Sequence, residues 1–266
     1  MLNGKHYLRS LTALLCFLAV LSPARGQAQT AAPREVIEPR LNLPELLGKL
    51  VERNAERADA LQKYQGERTY TLAYTGFPSS FHAEMVVDMT YDAPATKRFK
   101  IVSQSGSQWM IDRILKRLLD AEQEADADRE RVALNSHNYD FSDLERQQAQ
   151  DTCSYVVGVE PKTPSKLLYR GKIWVDSRDF AVCRIEAEPS KNPSFWIKKT
   201  DIHHSYVKIG DFWLPLENES VSMIRGGGRA VLTIKYQNYE ILSARGLKGG
   251  DPGPTASSLA LTRPPN

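Results

Sequence analysis

Residues 66–103 read GERTYTLAYTGFPSSFHAEMVVDMTYDAPATKRFKIVS, and this stretch decides the fold. Tyr70, Leu72 and Tyr74 alternate with Thr69, Thr71, Ala73 and Thr75. After Pro78-Ser79-Ser80, the run Phe81, Ala83, Met85, Val87, Met89, Tyr91 alternates with His82, Glu84, Val86, Asp88 and Thr90. A period of two puts alternate side chains on opposite faces, so this is a strand with one buried face. Asp92-Ala93-Pro94 turns the chain, and a strand follows at 97–103 with Phe99 and Ile101 on one face. Three strands with short connections predict an antiparallel meander.

Working outward, a helix precedes the meander. Asn42-Leu43-Pro44-Glu45 supplies a cap, an early proline and an acid three residues on. Leu43, Leu46, Leu47, Leu50, Ala58 and Leu61 then recur at helical spacing. A second helix follows the meander, with Ser105 as its expected cap and Gln108 three residues later. Trp109, Met110, Ile111, Ile114, Leu115, Leu118 and Leu119 form its broad apolar face. Residues 120–131 mix charges and read as a solvated face or loop. Residues 134–142 are ambiguous, because Asn135, Asn138 and Asp140 suggest turns over Tyr139 and Phe141. Further strands are expected near 153–159, 167–176, 179–188, 197–209, 213–224 and 229–242. The class is therefore α+β: a curled antiparallel sheet of about nine or more strands, with helices on its concave face.

The chain has 266 residues, 41% hydrophobic and 25% charged, enough for one large self-sufficient core. Residues 1–26 read as a secretory signal: Lys5 and Arg9, an apolar run over 11–21, Pro23, then small residues allowing cleavage near Gly26 or Ala28. The run is about eleven residues, short of the roughly 20 that span a bilayer. Cys16 follows Leu15 within the run and is read as signal core, not a lipidation site. The formal charge is +3, and residues 1–26 hold Lys5, Arg9, Arg25 and no acid, so the cleaved chain is neutral. Net charge gives no case for nucleic acid or an anionic surface. The expected organisation is a signal at 1–26, a lead-in at 27–41, one domain at 42–243 and a Gly/Pro/Ser-rich disordered tail at 244–266.

The search for chemistry finds no catalytic constellation. His203 and His204 are adjacent on a strand and face opposite ways, so they do not share an ion; no metal and no cofactor are expected. Glu186 and Glu188 share a strand face and read as solvent-exposed. Arg225-Gly226-Gly227-Gly228-Arg229 lacks the Gly-Lys-Ser/Thr ending of a phosphate loop and reads as a hairpin. An enzyme is not expected. Two cysteines remain after cleavage, Cys153 and Cys183. Export permits a disulfide, but sequential pairing would set them about 9–10 Å apart, two strand spacings. A bridge needs Cα atoms within about 7 Å, hence a bent strand or another pairing; the alternative is two buried thiols.

The stretches Gly171-Lys172-Ile173-Trp174-Val175-Asp176, Phe180-Ala181-Val182-Cys183-Arg184-Ile185-Glu186 and Tyr206 to Pro215 (YVKIGDFWLP) resemble the periplasmic outer-membrane lipoprotein-sorting superfamily of LolA, LolB and RseB. The resemblance covers roughly residues 42–242 and includes the order of helix, meander, helix and strands. It implies an incomplete antiparallel barrel with helices over its concave face and a hydrophobic cavity for acyl chains. No functional residue of that superfamily is carried over.

Singly, the inward aromatics and methionines read as core. Together on a curled sheet, Tyr74, Met85, Val87, Phe99, Trp109, Met110, Ile114 and Leu118 are the candidate lining of a hydrophobic groove. The expected function is an exported, periplasmic carrier or binder of lipid, lipoprotein acyl chains or another hydrophobic ligand. The alternative is an RseB-like module that contacts an envelope protein partner without lipid cargo. Neither a nucleic-acid partner nor an integral membrane position is expected.

Overall fold

A computed structural model describes residues 41–94, 96–125, 129–147 and 153–247. The expected signal, lead-in and most of the tail lie outside these residues.

Helix α1 (Leu43–Ala60) begins as its sequence dictates. The Asn42 side chain accepts from the Glu45 amide at 3.0 Å, and the Glu45 carboxylate accepts from the Asn42 amide at 3.0 Å. Its last turn is fastened by Arg57, which donates to the Asp179 and Phe180 carbonyls at 2.8 and 3.2 Å. The helix ends one residue before the sheet begins.

Ten strands follow: β1 (Leu61–Thr75), β2 (Phe81–Asp92), β3 (Thr96–Gly106), β4 (Tyr139–Arg146), β5 (Cys153–Pro161), β6 (Tyr169–Asp176), β7 (Val182–Pro189), β8 (Ile197–Ile209), β9 (Phe212–Ile224) and β10 (Arg229–Ala244). They form one antiparallel sheet in the order β3-β2-β1-β10-β9-β8-β7-β6-β5-β4. Two meanders are thus joined by the long β1–β10 pairing, and the edges β3 and β4 do not close. This is the expected α+β curled sheet.

Between the two edge strands runs α2, in three consecutive pieces: Gln108–Met110, a π-helical turn Ile111–Leu115, and Lys116–Ala125. A short helix α3 (Arg129–Val132) follows. Ser105 is not the cap of α2. It belongs to β3, opposite Glu84, and Ser107 holds the cap position without a side-chain bond. The meander pairing extends through Gly106, so the strand claims the residue first.

Two other boundaries differ from the sequence reading. β1 starts at Leu61, because register shifts at Lys63/Tyr64 and Gln65/Glu67 let irregular backbone join the ladder before the clean alternation starts. Residues 139–146 are a strand despite their turn-forming composition. Tyr139 is buried against Tyr169, and backbone pairing to β5 outweighs local preference.

Residues facing one another across antiparallel strands share a face. One such row runs Ile185, His204, Asn218, Ile234, Tyr70, Met85 from β7 to β2. This concave face carries both long helices. Leu46 and Leu50 of α1 pack on Tyr139, Tyr155, Val157 and Ile173 at one end. α2 packs on the other end, over β10, β1 and β2. Each leucine so buried is worth about 1.5–3 kcal/mol.

On the outer face, Val156, Trp174 and Cys183 cluster with Cys153 and Trp213. Cys153 and Cys183 are bridged, with Cα atoms 6.2 Å apart. The strands do pair sequentially, but register shifts at Cys153/Tyr155 and at Trp174/Val175 bring the two together across β6.

The three-glycine hairpin between β9 and β10 has φ of +86°, +99° and +123° at Gly226, Gly227 and Gly228, a region that disfavours side chains.

Candidate functional site

The site is built where α2 lies on the concave face. Met110, Ile111, Leu115 and Leu119 meet Tyr70, Leu72, Met85 and Val87, all buried. The π turn is closed by the Lys116 amide donating to the Ile111 carbonyl, five residues back. The extra residue in that turn resets the helical phase, and such turns recur at functional sites.

Within this apolar contact sits one charge cluster. Arg68 of β1 lies on the same face as Tyr70 and Leu72 and is only 4% exposed. Its Nη1 donates to Glu122 Oε2 of α2 at 2.7 Å and to Tyr70 Oη at 3.2 Å. Its guanidinium lies 5.1 Å from the Phe99 ring centre and 4.9 Å from that of Tyr236, within cation–π range. Lys97 Nζ donates to the second Glu122 oxygen at 3.0 Å. Both oxygens of Glu122 are therefore held by cations on β1 and β3.

The electrostatics follow from this geometry. Burial alone would raise the Glu122 pKa, but the charge and hydrogen bond of Arg68, with Lys97, outweigh it and hold the carboxyl below its ordinary value. Burial alone would lower the Arg68 pKa, and Glu122, Tyr70 and Tyr236 more than reverse that. The Tyr236 phenol is pushed up by burial.

Beside the cluster the floor becomes polar. Asn218 Nδ2 donates to Tyr236 Oη at 2.9 Å, and His204 stands opposite Asn218 on β8. Thr200 and Ser222 hydroxyls meet at 2.8 Å on the same face. Burial, then the neighbouring His203, lowers the His204 pKa to about 4, so it is neutral near pH 7. Ile202, His204, Asn218 and Ser220 are half-buried and belong to neither helix cluster. They lie on the concave face between the residues packed under α1 and those packed under α2. Arg68 Nε and Asn218 Oδ1 are buried without a hydrogen-bond partner.

The structure brings most of the expected groove residues together. Met85, Val87 and Met110 are fully in the α2 core; Tyr74, Phe99, Ile114 and Leu118 pack at its margin. Trp109 does not join them, nor does Phe81 cover the inner face; both side chains are exposed. The helix phase around Met110 turns Trp109 away from the sheet. His203 and His204 do face opposite ways, and Glu186 and Glu188 are ion-paired on the outer surface with Arg184 and Arg170. A shallow cleft of about 170 Å³ there is lined by Arg184, Glu186, His203, Ser205 and Glu217.

Arg68 and Glu122 were the residues missed. A signal existed: Arg68 shares the period-two face of Tyr70 and Leu72, and Glu122 follows Leu115, Leu118 and Leu119 by seven, four and three residues. A charge placed on each apolar stripe marks a pair.

No family model matches the chain, and no curated protein matches it. Similar solved structures include a DUF1329 family protein from Desulfovibrio piger (13% identity, covering 74% of this chain and 92% of that one, TM-score 0.37). Another is an outer membrane lipoprotein-sorting protein domain from Vibrio parahaemolyticus (11%, 74% and 92%, TM-score 0.35). A third is a LolA superfamily protein from Nitrosomonas europaea (11%, 76% and 94%, TM-score 0.33).

Proposed function

We propose that the protein is an exported, non-enzymatic binder or carrier of an apolar ligand, such as a lipid or the acyl chains of a lipoprotein, taken up beneath α2. The observation that carries this reading is the latch. α2 rests on the sheet through apolar contacts, and its polar fastening is concentrated in Glu122 on Arg68 and Lys97. An acyl chain that replaced α2 against Met85, Val87 and Phe99 would regain about 0.8 kcal/mol per buried methylene. Ile114 and Leu118 would then face the chain from the helix side. The unpartnered Arg68 Nε and Asn218 Oδ1 offer one donor and one acceptor to the ligand's polar end.

The sequence motifs that resemble the lipoprotein-sorting superfamily support the same reading, as does the secretory pattern at the N-terminus. Among the described residues no helix is long and apolar enough to cross a membrane. A second reading, an interaction module for an envelope protein partner without cargo, is favoured by one fact: the α2 core is filled, with Met85, Val87 and Leu115 fully buried.

Titration with a pyrene-labelled fatty acid separates the two. The carrier reading predicts saturable binding, and severalfold tighter binding for Glu122→Gln, because opening α2 then costs less. Absence of saturable binding in both proteins would leave the interaction module.

A further inference from the structure

One end of the sheet collects the exposed aromatics. Among the described residues, the exposed Phe and Trp side chains are Phe77 (87%), Phe195 (75%), Trp109 (66%), Trp196 (66%) and Phe81 (46%). They come from three separate segments: the β1–β2 turn, the β7–β8 loop and the start of α2. All three lie at the rim where β1 ends and β10 begins, as the pairings Tyr74↔Phe81, Tyr74↔Ala230, Ile197↔Ile224 and Ala83↔Gly106 require.

The rim is stitched together by its own hydrogen bonds. Tyr74 Oη donates to the Phe77 carbonyl at 3.2 Å and reaches the Gly227 carbonyl at 3.4 Å, tying the β1–β2 turn to the β9–β10 turn. The Arg225 amide donates to the Trp196 carbonyl at 2.8 Å, and its guanidinium lies 5.1 Å from the Phe195 ring centre. Ser165 and Ser190 join the β5–β6 and β7–β8 loops. The Ser107 amide donates to the His82 carbonyl at 2.7 Å and fixes the start of α2 beside β2.

The turns at this rim carry cations. The connecting segments 76–80, 133–138, 162–168, 190–196 and 225–228 contain no Asp or Glu. Lys166, Lys191, Lys198, Arg225 and Arg229 are exposed here, and among the described residues none is ion-paired.

We propose that this rim docks the protein reversibly on an anionic phospholipid bilayer, with Phe77, Trp109, Phe195 and Trp196 entering the headgroup layer. Large aromatics prefer the membrane–water interface, and Lys and Arg around them are drawn to anionic headgroups. Spaced aromatic tips on three segments, with cations on the acid-free turns between them, fit a continuous anionic surface. Nothing in this inference requires a cargo beneath α2.

The test is flotation of the full chain with vesicles of phosphatidylcholine alone or mixed equally with phosphatidylglycerol. The expected result is binding to the anionic vesicles that weakens as salt rises. It should fall at least tenfold in Phe195→Ser/Trp196→Ser and in Lys191→Glu/Lys198→Glu/Arg225→Glu, with circular dichroism unchanged. Brominated lipids should quench single-tryptophan variants retaining Trp109 or Trp196, and spare those retaining Trp174 or Trp213. Equal flotation of wild type and both variants would overturn the proposal. So would failure of the wild type to float at low salt, including the case in which the rim is instead protected by a bound protein.

Discussion

Arg68 Nη1 and Glu122 Oε2 are 2.7 Å apart across 54 residues of sequence, and this bond fastens α2 to the concave face. Arg68 is enclosed by Phe99 and Tyr236, while the outer side of Glu122 reaches water. Removing Glu122 strands a buried cation; removing both charges does not. Glu122→Ala is therefore expected to destabilise by about 2–3 kcal/mol, below the roughly 3–5 kcal/mol of a fully enclosed pair. Arg68→Met/Glu122→Leu should recover most of that loss. Urea midpoints of the three proteins check the ordering.

Acid should loosen the latch. The folded Glu122 pKa lies below the ordinary 4.5, so its contribution is complete above the unfolded value and is lost as pH falls through the folded one. The stability difference between wild type and Glu122→Gln should accordingly shrink below about pH 4. His204 acts at milder pH. Its folded value of about 4 lies below the ordinary 6.5, so the unfolded chain binds the extra proton between these limits. Stability is complete above pH 6.5 and declines towards pH 4. Replacing His204 with Asn should flatten that part of the profile, as read by denaturation at a series of pH values.

The Cys153–Cys183 bridge closes a loop with a sequence separation of 30 on the outer face. Loop-closure entropy for that length predicts about 2–4 kcal/mol. Cys153→Ser/Cys183→Ser, or wild type under reductant, should lose that much in urea unfolding. Equal midpoints with and without reductant would show that the bridge does not form in solution.

Much of the fold was legible because local and tertiary preferences agree. The Asn42–Glu45 capping box starts α1, and the odd-numbered run from Ala83 to Tyr91 lies inward on β2, as its alternation requires. The failures have physical causes. Residues 139–146 have a turn-like composition, and only the burial of Tyr139 and pairing with β5 make them a strand. Ser105 looks like a cap until β2 claims it. The π turn at Ile111–Leu115 shifts the helix phase in a way a 3.6-residue period does not encode, and it lets Met110 join the core while Trp109 stays exposed. Glu122 was hidden in a run of mixed charge, two residues after the exposed Asp120. The cations on the turns of one rim were invisible because net charge averages over the whole chain.

A carrier holds an apolar molecule beneath α2. Native mass spectrometry of the protein isolated from its own cell envelope, repeated after organic extraction, tests it most directly. A carrier should show a discrete adduct of lipid mass that extraction removes, and Val87→Trp, whose indole would compete for the surface exposed when α2 lifts, should not carry it. A bare polypeptide mass for the wild type, unchanged by extraction, would contradict it.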